Sequence, residues 1–352
     1  MTGTALDRFL LRKQGRNWDG VPVPGVGVED LSVSAFKRFR KLASAGSRID
    51  PEDLQASDAV LIDRLKLTEG DYLKRAAVLL FHEDPERFAA GAFVKVGFFR
   101  TEADLVYHDM VQGDIFTQVA ETVDLIQKKY LKAAISYQGL QRIEQYPVPD
   151  PALREAVLNA VVHRDYAVSA PIQIKVYNDH LKIWNPAVLP EGWTLDNLLG
   201  EHASHPYNPD IANAFFRAGE IEAWGRGIQR IFEACRKAET PQPVIRYQPN
   251  DLWFEFPYSE AYLEAVDSKE TAPGPSTPPV GTKSALSRHQ VKILNKCRND
   301  SKLVDLLAIT GRSDRTKFRN QVLNPLLDEG LVEMTIPDKP TSSRQKYRLT
   351  DK

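Results

Sequence analysis

Apolar positions recur at helical spacing over residues 33–45 and again over 51–67, and a short apolar run follows at 76–81. Residues 92–99 alternate apolar and polar side chains, which predicts a strand. Over 113–134 the apolar residues Ile115, Val119, Val123, Ile126 and Tyr130 share one helical face. Residues 154–163 predict a helix filled mostly by Ala, Val and Leu and interrupted by three polar residues four apart, Glu155, Asn159 and His163. Two alternating runs at 172–177 and 181–184 flank a turn at Asn178 and Asp179, the pattern of a β-hairpin. A polar, proline-containing stretch covers 185–209. Helices are then expected at 211–217 and 228–237, the second preceded by Gly225, Arg226 and Gly227, and a closing strand at 252–257.

Turn formers dominate at both ends of this region. Residues 1–27 read as a tail, with Gly and Pro concentrated between Gly20 and Gly25. Residues 263–286 read as a linker, because the Pro, Ser, Thr and Gly run from Lys269 onward cannot supply a core. Beyond it, 291–297, 302–309 and 314–328 predict three helices, and 331–336 and 345–349 two strands joined by a loop at 337–344. Helix-turn-helix followed by a hairpin is the order of a winged helix. The organisation expected is a tail (1–27), a helical and strand region (28–135), a sheet-and-helix domain (136–262), the linker and a small domain at 287–352.

Composition narrows the class. The chain has 26% charged and 42% hydrophobic residues and a formal net charge of -1, so any attraction to a polyanion has to be local. The small C-terminal domain has such a bias, with fourteen Lys and Arg against eight Asp and Glu. The two cysteines, Cys235 and Cys297, have no ligand-spaced His or Cys beside them, which argues against a zinc site or a disulfide framework. Neither a signal peptide nor a membrane span is expected, and the reading is cytoplasmic.

The candidate chemistry centres on the polar stripe. At 3.6 residues per turn, Glu155, Asn159 and His163 lie on one slowly drifting face of an otherwise apolar helix. Buried polar groups need partners, and a magnesium–phosphate ligand would provide them; the alternative is the solvated face of an ordinary amphipathic helix. A glycine-rich segment opening a helix, here Gly225 and Gly227, lets backbone N–H groups approach an anion. His163-Arg164-Asp165 lacks the companions of a kinase catalytic loop, and an ion pair fixing the helix end is favoured for Arg164 and Asp165. No G-x-x-x-x-G-K-[ST] sequence is present, so no motif supports helicase activity.

This order of motifs resembles the ATPase fold of gyrase B, the heat-shock chaperone ATPases, histidine kinases and MutL. More specifically, the motifs around Leu79–Pro85, Arg154–Tyr166, Asn185-Pro186, Asn208–Ala212 and Gly219–Ile228 resemble the bacterial family often labelled "RecG-like". Its members usually carry a Schlafen-type AlbA domain in front, of which residues 1–27 would be a remnant. The resemblance implies an α+β chain: a two-layer α/β sandwich of the gyrase and heat-shock chaperone type, then a winged helix-turn-helix domain. It implies ATP and Mg2+ as ligands, Glu155 as the catalytic carboxylate that positions water, Asn159 as the magnesium ligand, and Asn159, His163, Asn185, Gly225 and Gly227 around the nucleotide. Two positions depart from the pattern: Asn185 stands where the fold has an adenine-binding aspartate, and Ala187 where it has a glycine.

For the C-terminal domain the resemblance implies DNA as partner. Arg312, Arg315, Lys317 and Arg319 stand at and just before the start of the third helix, and Lys339, Arg344 and Lys346 on the wing. A packing or dimerisation element is the alternative reading. Three functions stay open: a DNA-binding transcriptional regulator that binds ATP, an ATPase driving a conformational or dimerisation cycle, and a scaffold with a non-functional pocket. A homodimer is a further partner in the second; no membrane enters any of them.

Overall fold

The computed structural model describes residues 10–11, 13–138, 141–222, 224–271, 293–294, 296–297, 300–310, 323, 326–327, 331–336 and 345–350. They fall into two compact units, Met1–Ala272 and Pro273–Lys352.

The first unit is not preceded by a tail of the expected length. From Trp18 the chain is built into it: β1 (Pro22–Val23) pairs with β3 (Tyr72–Lys74), which pairs in turn with β2 (Thr68–Glu69). The buried Asp19 accepts hydrogen bonds from the backbone N–H groups of Asp210 (2.8 Å) and Ile211 (3.1 Å). Trp18 stacks on Tyr166 at 5.8 Å. Turn residues here make a tightly bonded surface segment, which composition alone does not distinguish from a loose one.

Helix α1 (Val33–Gly46) forms as the periodicity predicts, burying Ala35, Phe36, Phe39 and Ala43. The continuous helix expected over 51–67 is two helices, α2 (Pro51–Gln55) and α3 (Asp58–Arg64). Ser57 breaks it, because its hydroxyl caps α3 by accepting from the Val60 N–H. The apolar run at 76–81 is α4 (Arg75–Phe81), buried on every side within the core.

A six-stranded mixed sheet organises the rest. Its strands are β4 (Val94–Thr101), β5 (Asp104–Val111), β8 (Ile172–Val176), β9 (His180–Asn185), β10 (Val244–Gln248) and β11 (Asp251–Pro257), in the order β10-β11-β9-β8-β4-β5. Only the β4–β8 pair is parallel. Strands β5 and β10, absent from the pattern-based reading, lie at the two edges, and each buries only one residue, Val111 and Ile245. Because β4 and β5 belong to this sheet, the expected boundary near residue 136 does not divide two domains. Between β5 and β8 run α5 (Ile115–Leu125), the two-stranded β6 (Ala134–Gln138) and β7 (Gln141–Gln145), and α6 (Asp150–Val162). Helix α5 stops short of the predicted end: a wider turn over Ile126–Tyr130 closes with the Leu131 N–H on the Ile126 carbonyl. The hydroxyl of Tyr130 then donates to Asp109.

The hairpin strands alternate as predicted, with Ile172, Ile174 and Val176 on β8 and Leu181, Ile183 and Asn185 on β9 buried. Helix α6 packs against α5 and against α9 (Gly227–Lys237). A short α7 (Leu195–Leu199) interrupts the polar stretch, α8 (Pro209–Arg217) follows it, and α10 (Glu260–Thr271) closes the unit, occupying the first residues of the expected linker. The rest of that linker lies outside the described residues.

In the second unit β12 (Ser301–Lys302) stands where a helix was expected to begin, followed by α11 (Leu303–Thr310). Strands β13 (Val332–Met334) and β14 (Lys346–Leu349) complete an antiparallel sheet of order β12-β14-β13. Its core holds Ile293, Cys297, Leu306, Leu323, Leu326, Val332 and Tyr347. Most of the predicted third helix and all of the loop at 337–344 lie outside the described residues.

Candidate functional site

Helix α6 is apolar because three of its sides are core: Leu153, Ala156, Val157, Leu158, Val161 and Val162 are buried. Its remaining side turns Glu155 and Asn159 towards the start of α9. The Asn159 amide reaches a Glu155 oxygen at 3.4 Å. Gly227, the first residue of α9, lies directly over the pair. A Cβ built there would fall 2.6 Å from Glu155 Oε1 and 2.9 Å from Asn159 Nδ2. Gly225 meets a different wall. It has φ +67°, and a Cβ would lie 2.6 Å from the His202 carbonyl.

Asn159, Gly225 and Gly227 rim a cavity of about 110 Å³; Glu155 is not among the residues that line it. Asn159, His163, Gly225 and Gly227 form one side and Asn185, at the end of β9, the other; the segment 187–205, with Trp193, His202 and His205, supplies a wall. His202 and His205 both meet the Trp193 ring edge-on, at 4.9 and 5.4 Å. The nucleotide-type residues proposed from the sequence therefore converge, although they come from α6, β9, the 187–226 loops and α9. Ala187 is drawn into a bridge with Arg164, and the Asp165 N–H donates to the Pro186 carbonyl, which fixes the strand end against the end of α6.

The electrostatics are specific. Burial pushes the Glu155 carboxyl up, while Arg230, Arg154 and the Asn159 amide pull it down. Burial, helped by the neighbouring His202, brings the His163 ring down to about 4, so the ring is uncharged at neutral pH. Asn185 is 2% exposed, and neither its Oδ1 nor its Nδ2 has a hydrogen-bond partner. Leaving such an amide unpaired costs on the order of 1–3 kcal/mol. The Arg164 guanidinium donates to the carbonyls of Val168 and Ala170, both at 2.9 Å, and, against burial, the neighbouring Asp165 carboxylate favours its charged form.

ATP with magnesium fits this donor set. A purine edge would satisfy the Asn185 amide; phosphates need the room that the missing Cβ of Gly227 leaves; and Asn159 and Glu155 offer oxygens to a hard cation. Among the described residues no three His, Cys, Asp or Glu side chains group to hold a metal by themselves. A magnesium ion here would have to share its coordination with phosphates, as this ion commonly does.

Residues 169–256 match the family described as "Putative ATP-dependent DNA helicase recG C-terminal". Over those residues the chain is similar to the recG C-terminal type of domain. That match takes in β8, β9, Gly225, Gly227, α9 and β11, while α6, with Glu155 and Asn159, lies just before it. Residues 289–350 match "Filamentation induced by cAMP protein Fic-like, C-terminal domain". No protein of curated function matches the chain. The crystal structure of the DIP2311 protein from Corynebacterium diphtheriae has a similar fold, with a TM-score of 0.57 at 17% identity over 96% of this chain and 65% of that one. The chain thus spans about 65% of that relative's length. A Fic family protein from Desulfovibrio desulfuricans G20 aligns over 99% of this chain and 81% of its own at 16% identity, with a TM-score of 0.17.

Of the residues expected to meet DNA, Arg312, Arg315, Lys317, Arg319, Lys339 and Arg344 lie outside the described residues. Lys346 is on β14, half-exposed, with its Nζ 3.9 Å from Asp300. No helix among the described residues is long and apolar enough to cross a membrane. The sequence reading missed Arg230 and Glu222, which stand beside Glu155. Their signal was available in part, since Arg230 falls one turn into α9, after the glycines.

Proposed function

We propose that the recG-type domain binds ATP with magnesium and that the chain is a DNA-binding regulator whose C-terminal unit, a winged helix, carries the DNA contacts. The observation that carries the nucleotide reading is the buried Asn185 amide, unpaired and lining the cavity. An amide sets a donor beside an acceptor, the complement of an adenine edge, so it can replace a carboxylate in reading that base. The backbone at Gly225–Gly227 and the N-terminus of α9 would meet the phosphates, Asn159 the magnesium, and neutral His163 a polar edge of the ligand. A helix and a three-stranded sheet among the described residues of the second unit, with its basic excess, support the DNA reading.

Hydrolysis is the second reading, favoured by Glu155. A carboxylate held in a buried site, with its pKa raised, suits a base that takes a proton from water as its oxygen bonds to the terminal phosphorus. The bond to the leaving ADP oxygen breaks, giving ADP and phosphate. Calorimetric titration of the full chain with ATP, with and without magnesium, tests both readings. Asn159→Ala should weaken magnesium-dependent binding about tenfold or more. Glu155→Ala should keep binding and lose any turnover. A wild-type chain that binds no nucleotide makes the domain a scaffold, and turnover unchanged in Glu155→Ala removes the assigned role.

A further inference from the structure

The cavity that would take the nucleotide has no Lys or Arg among its lining residues, although a triphosphate carries several negative charges. The cations stand just outside, and each has a carboxylate. Arg154 is paired with Glu220. Arg226 is exposed and lies 3.7 Å from Glu222. Arg230 is paired with Glu222, and a second guanidinium nitrogen stands 4.0 Å from Glu155 Oε2. The other Glu155 oxygen is the one against which Gly227 is set. Arg230, the Gly227 backbone and the Glu155–Asn159 pair therefore stand together at the first turn of α9, beside the cavity that Asn159 and Gly227 line.

A phosphate that extends from the cavity past Gly227 to Glu155 comes within reach of Arg230. It meets a carboxylate that repels it and, on the other side, a guanidinium that matches phosphate geometry in two-pronged fashion. We propose that Arg230 is the group that distinguishes a nucleoside triphosphate from a diphosphate: it is held by Glu222 in the free protein and transfers to the terminal phosphate on binding. Glu222 is the resting partner, and the exchange swaps one ion pair for another without leaving the guanidinium uncompensated. A diphosphate, bound by the same base and glycine contacts, ends one phosphate short of it. This rests on the nucleotide reading of the cavity and adds to it the residue that senses chain length.

The test is calorimetric binding of ATP and ADP, each with magnesium, to the wild-type full chain and to Arg230→Gln and Glu222→Gln. Arg230→Gln should lower ATP affinity about 10- to 100-fold and leave ADP affinity within about threefold. Glu222→Gln should raise ATP affinity about two- to fivefold, because the guanidinium no longer has to leave a carboxylate. A gain of affinity cannot come from misfolding, and thermal unfolding of both variants checks the loss. If wild type prefers ATP and Arg230→Gln keeps that preference, or Glu222→Gln weakens ATP, the inference is overturned while the nucleotide reading stands. A wild-type chain that binds neither nucleotide removes both.

Discussion

At the residue scale, two glycines separate structure from function. Gly225 has a positive φ, and its neighbour is the backbone carbonyl of His202. Gly225→Ala should therefore cost about 1–3 kcal/mol of stability, read by denaturant unfolding. Gly227 meets only the ends of two side chains, Glu155 and Asn159, which can swing away. Gly227→Ala should leave the unfolding midpoint nearly unchanged and reduce ATP affinity about tenfold or more, since the displaced side chains and the new methyl occupy the phosphate path. Equal loss of stability in both variants would show that Gly227 is only a packing residue. The sequence marked both glycines alike by their place before a helix; the difference between them comes from what lies opposite, which chain order does not record. Asn185 was legible as a departure from a motif, but that its amide is buried without a hydrogen-bond partner depends on how the end of β9 packs.

At the element scale, the attachment of the N-terminal segment to α8 is the sharpest correction to the pattern. Asp19 caps α8 from far away in sequence, and its own hydrogen bonds favour the charged form, but burial and the nearby Asp210 raise its pKa to about 7. The folded state thus holds the proton more tightly than the unfolded chain, where an aspartate ionises near 3.8. The sign follows: the stabilising contribution is full below pH 3.8 and is lost as pH rises towards about 7, beyond which both states are ionised. Asp19→Asn, which keeps the acceptor and cannot ionise, should match wild type at pH 4 and exceed it by about 1–3 kcal/mol at pH 8 in urea unfolding. A wild-type advantage that grows with pH would contradict this. Elsewhere local pattern succeeded where one face decides burial, as in α1, β8 and β9. It failed where a cap or an unusual turn intervened, at Ser57 and at Ile126–Tyr130, because those depend on single hydrogen bonds.

At the scale of the whole molecule, one sheet unites residues that the pattern had assigned to separate regions, and a second unit has its own small core. The proposal that this unit binds DNA is tested by anisotropy titration of the full chain against mixed duplexes at two salt concentrations. Binding should weaken with salt, and Lys346→Ala should weaken it about equally on every duplex while lowering the slope of log affinity against log salt by about 1. Affinity insensitive to salt would leave the unit as a packing or dimerisation element.

What the sequence determined by itself is the set of strongly periodic elements and the chemistry on their odd positions: α6 with its Glu155–Asn159 stripe, the β8–β9 hairpin ending in Asn185, and the glycines before α9. Each is encoded locally, by which face is apolar and which residue interrupts it. The tertiary structure alone decided the rest. Strands β4 and β5 join the sheet through long-range pairing, whose register is set by the partner strand. Asp19 finds its helix 191 positions away. Arg230 stands beside Glu155 only because α9 packs on α6. Contacts between distant segments depend on the geometry of closure, and no local period contains it.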